Sequence, residues 1–164
     1  MSDTIPIRLK GIIDEDFVNY KKASMVLMFP TCTFKCDKEC GKPVCQNSAL
    51  AKTADVITTT EWLVERYMSN PITKAIVFQG LEPMDSDAIY PLMEVFRIFT
   101  NDPIIIYTGY TEEELRDVIP TVEVIGWKNI IMKFGRFVPG QKPHIDRVLG
   151  VPLASDNQYA KKIC

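Results

Sequence analysis

Ser24-Met25-Val26-Leu27-Met28-Phe29, closed by Pro30 and followed at once by Thr31-Cys32, fixes the architecture. An uncharged apolar run of this length predicts a strand buried on both faces, as in parallel sheets. Three later segments repeat the pattern: Lys74 to Gln79 around Ala75-Ile76-Val77-Phe78, Pro103 to Tyr107 around Ile104-Ile105-Ile106, and Asn129 to Phe134 around Ile130-Ile131-Met132. Helical segments alternate with them. Thr58 and Glu61 read as a capping box opening a helix through about Met68, stopped by Asn70-Pro71. A second helix runs from about Asp87 to Phe99, with its apolar stripe at Ile89, Leu92, Met93, Phe96 and Phe99 and Pro91 in its first turn. Thr111-Glu112-Glu113-Glu114 caps a short third helix carrying Leu115, Val118 and Ile119. Lys38 to Pro43 reads as loop, and the tail as irregular apart from a short strand near Tyr159 to Ile163. The alternation predicts an α/β fold with a mainly parallel sheet and right-handed crossovers, in one domain over residues 1–164. Chemistry in such folds gathers at the C-terminal ends of the strands.

The 164 residues are 46% hydrophobic and 24% charged, which excludes wholesale disorder and fibres and leaves enough chain to bury a core. No uncharged apolar run approaches the ~20 residues of a membrane span. The first residues, Met1-Ser2-Asp3-Thr4-Ile5-Pro6, lack the basic and apolar regions of a secretory leader, so a cytoplasmic location is expected. A net charge of −2 argues against a dedicated nucleic-acid binder. The charge is uneven: residues 1–50 carry 7 basic and 6 acidic groups, residues 51–120 carry 5 and 12, and residues 121–164 carry 7 and 3. That leaves the last third basic, either as a solvated face or as a surface turned to an anionic ligand.

Four of the five cysteines, Cys32, Cys36, Cys40 and Cys45, fall within 14 residues, and Cys164 ends the chain. Clustered cysteines in a reducing compartment are more often metal ligands than disulfides, because soft thiolates select zinc or iron–sulfur centres. The run Cys32-x3-Cys36-x3-Cys40-x4-Cys45 has no separated second pair, and the single histidine, His144, is about a hundred residues away, which fits a structural zinc site poorly. Four thiolates would saturate an iron–sulfur cluster and confine it to electron transfer; three would leave one iron open. Both counts stand open on spacing alone.

With these residues the chain resembles a radical S-adenosylmethionine enzyme. More narrowly, it is similar to the activating proteins of anaerobic ribonucleotide reductase and to the wider glycyl-radical activases, from about Phe17 to Ile163. That family holds a [4Fe–4S] cluster in a C-x3-C-x2-C loop. Cys32-Thr33-Phe34-Lys35-Cys36 matches the first half, and Cys45-Gln46-Asn47 resembles the third cysteine with its following Asn. The gap is longer here, C-x3-C-x8-C, so the resemblance implies Cys32, Cys36 and Cys45 as ligands, with Cys40 as the alternative third. Gly80-Leu81-Glu82-Pro83 resembles the Gly-Gly-Glu-Pro turn that meets the cofactor's amino group, with Leu81 in place of the second glycine. The segment around Tyr107-Thr108-Gly109-Tyr110 looks like the family's third-strand segment. Gly135-Arg136-Phe137 resembles a later Asp-Gly-Arg-Phe stretch without its acidic residue, and Ser155-Asp156-Asn157-Gln158 resembles a C-terminal Ser-Ser-Asn-Gln.

The resemblance implies a partial (β/α) barrel, a minimal radical-SAM core. It implies a [4Fe–4S] cluster with S-adenosylmethionine held in part by Gly80, Leu81, Glu82, Tyr107 and Thr108. The activity implied is reductive cleavage of that cofactor and hydrogen abstraction from a glycine of a large glycyl-radical enzyme, fed by an external electron donor. A short chain leaves little to enclose a small substrate, which suits a macromolecular one. Two other readings are a radical enzyme acting on a small molecule or peptide, such as a deazapurine synthase, and a non-catalytic four-cysteine zinc or iron–sulfur module. No Ser/His/Asp triad or acid–base pair is evident, and no membrane or nucleic-acid partner is expected.

Overall fold

Strands buried on both faces need cover on both sides, and the computed structural model supplies it differently on each. It describes residues 5–45 and 47–164, with the backbone but not the side chain of Cys36. In chain order these form β1 (Pro6–Leu9), β2 (Gly11–Asp16), β3 (Ser24–Phe29), α1 (Lys35–Cys40), β4 (Val56–Thr59), α2 (Thr60–Met68), β5 (Ala75–Gly80), α3 (Ile89–Phe99), β6 (Ile104–Tyr107), α4 (Ile119–Ile125), β7 (Ile130–Phe134), β8 (His144–Asp146), β9 (Val151–Leu153) and β10 (Tyr159–Lys162). Short 3-10 turns stand at Leu50–Lys52 and Pro83–Asp85.

The main sheet has the order β10-β7-β6-β5-β3-β2. Its four central strands, β3, β5, β6 and β7, run parallel, while β2 and β10 close the two edges antiparallel. Successive side chains point to opposite faces. Met25, Leu27 and Phe29, with Ile76, Phe78, Ile104, Ile106, Ile130, Met132 and Phe134, meet Leu63 and Tyr67 of α2, Leu92, Met93 and Phe96 of α3 and Val122 of α4. Val26, Val77, Ile105 and Ile131 face the other way, against Tyr20, Leu149, Val151 and Leu153. The crossover helices therefore share one face, and the C-terminal hairpin β8–β9 covers the other. The fold is a mixed α/β protein with a mostly sheet core. Among the described residues no helix is long and apolar enough to cross a membrane.

Three local expectations are corrected. The cysteine segment is helical from Lys35 to Cys40, not loop from Lys38; Gly41, left-handed at φ 68°, ends it, so the Gly and Pro that suggested a loop lie just past the helix. The cap of α2 is Thr59, whose hydroxyl accepts from Trp62 N at 3.1 Å, because β4 stays paired through Thr59, opposite Pro6, and the helix begins only at Thr60. Thr111 and Glu114 do exchange capping hydrogen bonds, at 3.1 and 3.3 Å, but they open a run of turns. The helix α4 starts only at Ile119 with Pro120 in its first turn. A proline there has no N–H for the preceding turn and clashes with it, so a helix begun at Thr111 cannot run through.

Candidate functional site

The four parallel strands deliver their following loops to one rim. Phe29 leads to Cys32, Gly80 to Glu82, Tyr107 to Gly109, and Phe134 to Arg136. All of these loops line a single cavity of about 360 Å³, the size of a small-molecule site. Cys32, Cys45, Gly80, Leu81, Glu82, Tyr107 and Thr108 are brought together on it. Cys40, at the last position of α1, is not among the lining residues, and the side chain of Cys36 and the whole of Gln46 lie outside the described residues.

Backbone bonds lock the first two loops to each other. Leu81 N donates to Phe29 O at 3.1 Å and Glu82 N to Thr31 O at 2.6 Å. Gly80 sits at φ 97° with β3 so close that a Cβ would stand 2.7 Å from Phe29 N. Among the described residues the non-glycine positions with positive φ are Phe34 and Asn129, so Leu81 needs no left-handed backbone, and a leucine is accommodated where the resembled turn has glycine.

Glu82 is 6% exposed. Thr108 Oγ1 donates to its Oε1 at 2.8 Å, Gly109 N to its Oε2 at 2.8 Å, and Met84 N to Oε1 at 3.1 Å. Burial nevertheless pushes its carboxyl above the ordinary value. These donors orient both oxygens and leave acceptor capacity for a cationic group entering the cavity.

The cysteine segment is anchored from within. Asp37 Oδ1 of α1 accepts from both Val44 N and Cys45 N at 2.7 Å, which folds the long gap back on the helix. Asn47 Nδ2 then donates to Gly80 O at 2.8 Å. Cys32 Sγ accepts from Phe34 N at 3.2 Å. Burial raises the Cys32 thiol, and the nearby Glu82, Cys45 and Asp85 add to the rise. Among the described residues no three His, Cys, Asp or Glu side chains assemble around a metal position. The donor chemistry on the cavity is still that of a soft-metal site, two thiols beside a carboxylate.

Other lining residues are Val18 and Asn19 from the β2–β3 turn, Lys133 of β7, and Leu153 and Ala154 from the C-terminal hairpin. The turn is held by Asp16 Oδ2, which accepts from Asn19 N at 2.9 Å, and by Tyr107 Oη donating to Asn19 O at 2.5 Å. Lys133 is buried, and its Nζ donates to Gly135 O at 2.9 Å. A lysine within an otherwise apolar strand was the available signal for it.

Arg136 ties the rim to α1. It donates to both oxygens of Glu114, at 2.7 and 2.6 Å, and lies 3.5 Å from Glu39. The guanidinium holds the Glu114 carboxyl at about 2, below its ordinary 4.5. A carboxyl depressed in the folded state contributes stability above about pH 4.5 that fades as pH falls towards 2. Glu114→Gln is therefore expected to cost about 1 kcal/mol or less at pH 7, since the pair is partly exposed, and less again at pH 3. Denaturant unfolding at the two pH values checks this; an equal cost at both contradicts it.

The chain matches no protein-family model, no curated protein and no solved structure.

Proposed function

We propose that the chain is a radical S-adenosylmethionine activase. Cys32, Cys36 and Cys45 hold a [4Fe–4S] cluster, and the partner is a large glycyl-radical enzyme of the anaerobic ribonucleotide reductase kind. The observation that carries the reading is the shared cavity: two thiols of the cysteine segment and the buried Glu82 carboxylate on one rim, where four parallel strands end. Cys36 joins the ligand set through the resemblance. Four sequential parallel strands with their crossover helices on one face also favour a partial (β/α) barrel over a doubly wound sheet, which carries helices on both faces. A thiolate-bound cluster suits a reducing, cytoplasmic setting.

When bound, cluster and cofactor would supply one-electron reductive cleavage of a sulfonium and hydrogen-atom abstraction from the partner's glycine, with the electron drawn from an external donor. The protein's own part is placement. Glu82, oriented by Thr108, Gly109 and Met84, receives the cofactor's ammonium. Gly80, lacking a Cβ, lets the turn press against β3 and keeps Glu82 in register with Cys32. Lys133 brings a buried positive charge to the same cavity, complementary to a carboxylate. Phe34 and Val44, half-buried beside the cysteines, limit water there.

Anaerobic reconstitution with iron and sulfide tests the proposal. The reduced protein is expected to give a [4Fe–4S] electron paramagnetic resonance signal that changes on adding S-adenosylmethionine, and to release 5′-deoxyadenosine. A cluster indifferent to the cofactor, or a protein that retains only zinc, refutes it. A glycyl radical formed on a co-purified partner separates the activase from a small-molecule radical enzyme.

A further inference from the structure

One stretch singled out in the sequence has no part in the proposed function: Ser155-Asp156-Asn157-Gln158, the turn joining β9 to β10. A connection between two short strands needs only to satisfy its own backbone. This one spends its side chains on another loop. Gln158 is buried; its Oε1 accepts from Ala154 N and Ser155 N at 3.1 and 3.2 Å, while its Nε2 donates to Gly135 O at 3.2 Å. Asn157 Nδ2 donates to Arg136 O at 2.7 Å. Its Oδ1 accepts from the fully buried Ser155 Oγ at 2.7 Å, and that hydroxyl accepts from Val138 N at 3.3 Å. Three neighbouring backbone groups of residues 135–138 are thus held by one turn. The fit is close: a Cβ on Gly135, at φ 102°, would lie 3.1 Å from Asn157 O.

The loop so held is a wall of the cavity. Gly135, Arg136 and Phe137 line it, with Gln158 beside them, and the guanidinium of Arg136 reaches on to Glu114 and to Glu39 of the cysteine helix. Hydrogen bonds from the turn to residues 135–138, and the ion pairs of Arg136 with Glu114 and Glu39, therefore join the C-terminal turn to α1 across the rim. We propose that Asn157 and Gln158 are positioning residues for the cofactor: through the carbonyls of Arg136 and Gly135 they fix the wall of the cavity against the cysteine helix. The inference rests on the radical S-adenosylmethionine reading and gives this turn its place in it. Loss of the latch loosens the wall while leaving the cysteines and Glu82 in position, so it weakens cofactor binding before it affects cluster assembly.

Asn157 is exposed, so its variants should fold. Asn157→Asp keeps the acceptor for Ser155 and removes the donor to Arg136 O; Gln158→Glu keeps the acceptor for Ala154 and Ser155 and removes the donor to Gly135 O. Each is reconstituted as the full chain, and its iron content, melting temperature and affinity for the unreactive probe S-adenosylhomocysteine are measured. One lost hydrogen bond predicts affinity weakened roughly five- to tenfold, with wild-type iron content and a KM for S-adenosylmethionine that rises more than kcat falls. Affinity within twofold of wild type in both variants overturns the proposal. So does a loss that follows falling iron content and melting temperature, which marks a purely structural turn. Wild-type protein that loads a cluster yet binds no probe sinks the underlying functional reading instead, and this inference with it.

Discussion

On the proposed three-thiolate site, Cys45→Ala is expected to lose most of the iron that the reconstituted chain can hold, at least about tenfold, and with it 5′-deoxyadenosine formation, whereas Cys40→Ala is expected to retain both. The two thiols are five residues apart, but the fold treats them differently. Cys40 is the last residue of α1, one helical turn beyond Cys36, and is not among the residues lining the cavity. Cys45 lies after the helix has stopped at Gly41, and it lines the cavity with Cys32 and Glu82. Its backbone is drawn there by Asp37, which takes the N–H groups of Val44 and Cys45 on one oxygen, and by Asn47, which binds the Gly80 carbonyl. The long gap between Cys36 and Cys45 thus folds back on α1 at Asp37, as the proposed three-thiolate site requires of an extended spacing. Iron and sulfide analysis of the two variants, prepared side by side, decides it; severe loss in Cys40→Ala with retention in Cys45→Ala reverses the ligand assignment.

How far sequence reading reaches follows from what each segment must bury. β3, β5, β6 and β7 were legible because two covered faces demand an unbroken apolar run, and few other elements impose that. β1, β2, β4, β8 and β9 were not. They are short and partly exposed: β4, Val56-Ile57-Thr58-Thr59, has no buried residue, and β9 carries Pro152. Their pairing comes from tertiary placement, with β1 lying against β4 and β8 against β9. The same division runs through the site. Cys32, Gly80 to Glu82, and Thr108 could be read because each directly follows a parallel strand. Asn19 and Leu153 reach the cavity from an antiparallel edge and a hairpin, and nothing local in either segment announces a ligand. The start of α2 was misplaced by one residue because two adjacent threonines can both cap, and only the length of the β1–β4 ladder, which runs on to Thr59 opposite Pro6, chooses between them.

Gly80→Ala is expected to be among the most damaging single-atom additions to the chain, and the geometry says why. The new Cβ would stand 2.7 Å from Phe29 N, 2.9 Å from Met28 Cα and 3.0 Å from Met28 C, all backbone of β3, which cannot swing aside as a side chain would. The residue also sits at φ 97°, well beyond the left-handed region that an alanine tolerates at modest cost. Strain and overpacking together amount to roughly 2–5 kcal/mol. For a chain of this size that lowers the melting temperature by about 10 °C. Gly41→Ala provides the comparison: at φ 68° it bears the conformational cost, but nothing lies within 4 Å of its Cβ, so its loss should stay near 1 kcal/mol. The difference between the two variants reports the contact with β3 together with the extra backbone strain at φ 97°. The functional consequence follows from the same contact. β5 is parallel to β3 with Gly80 opposite Phe29, and the next two residues bond to Phe29 and Thr31. Relief of the clash by moving β5 away from β3 shifts Glu82 relative to Cys32, so any Gly80→Ala protein that survives folding should bind S-adenosylhomocysteine poorly even with its cysteines intact. A melting temperature within 2 °C of wild type, together with wild-type affinity for the probe, would mean that the turn is not fastened to β3 and that the register between the carboxylate and the thiols is set elsewhere.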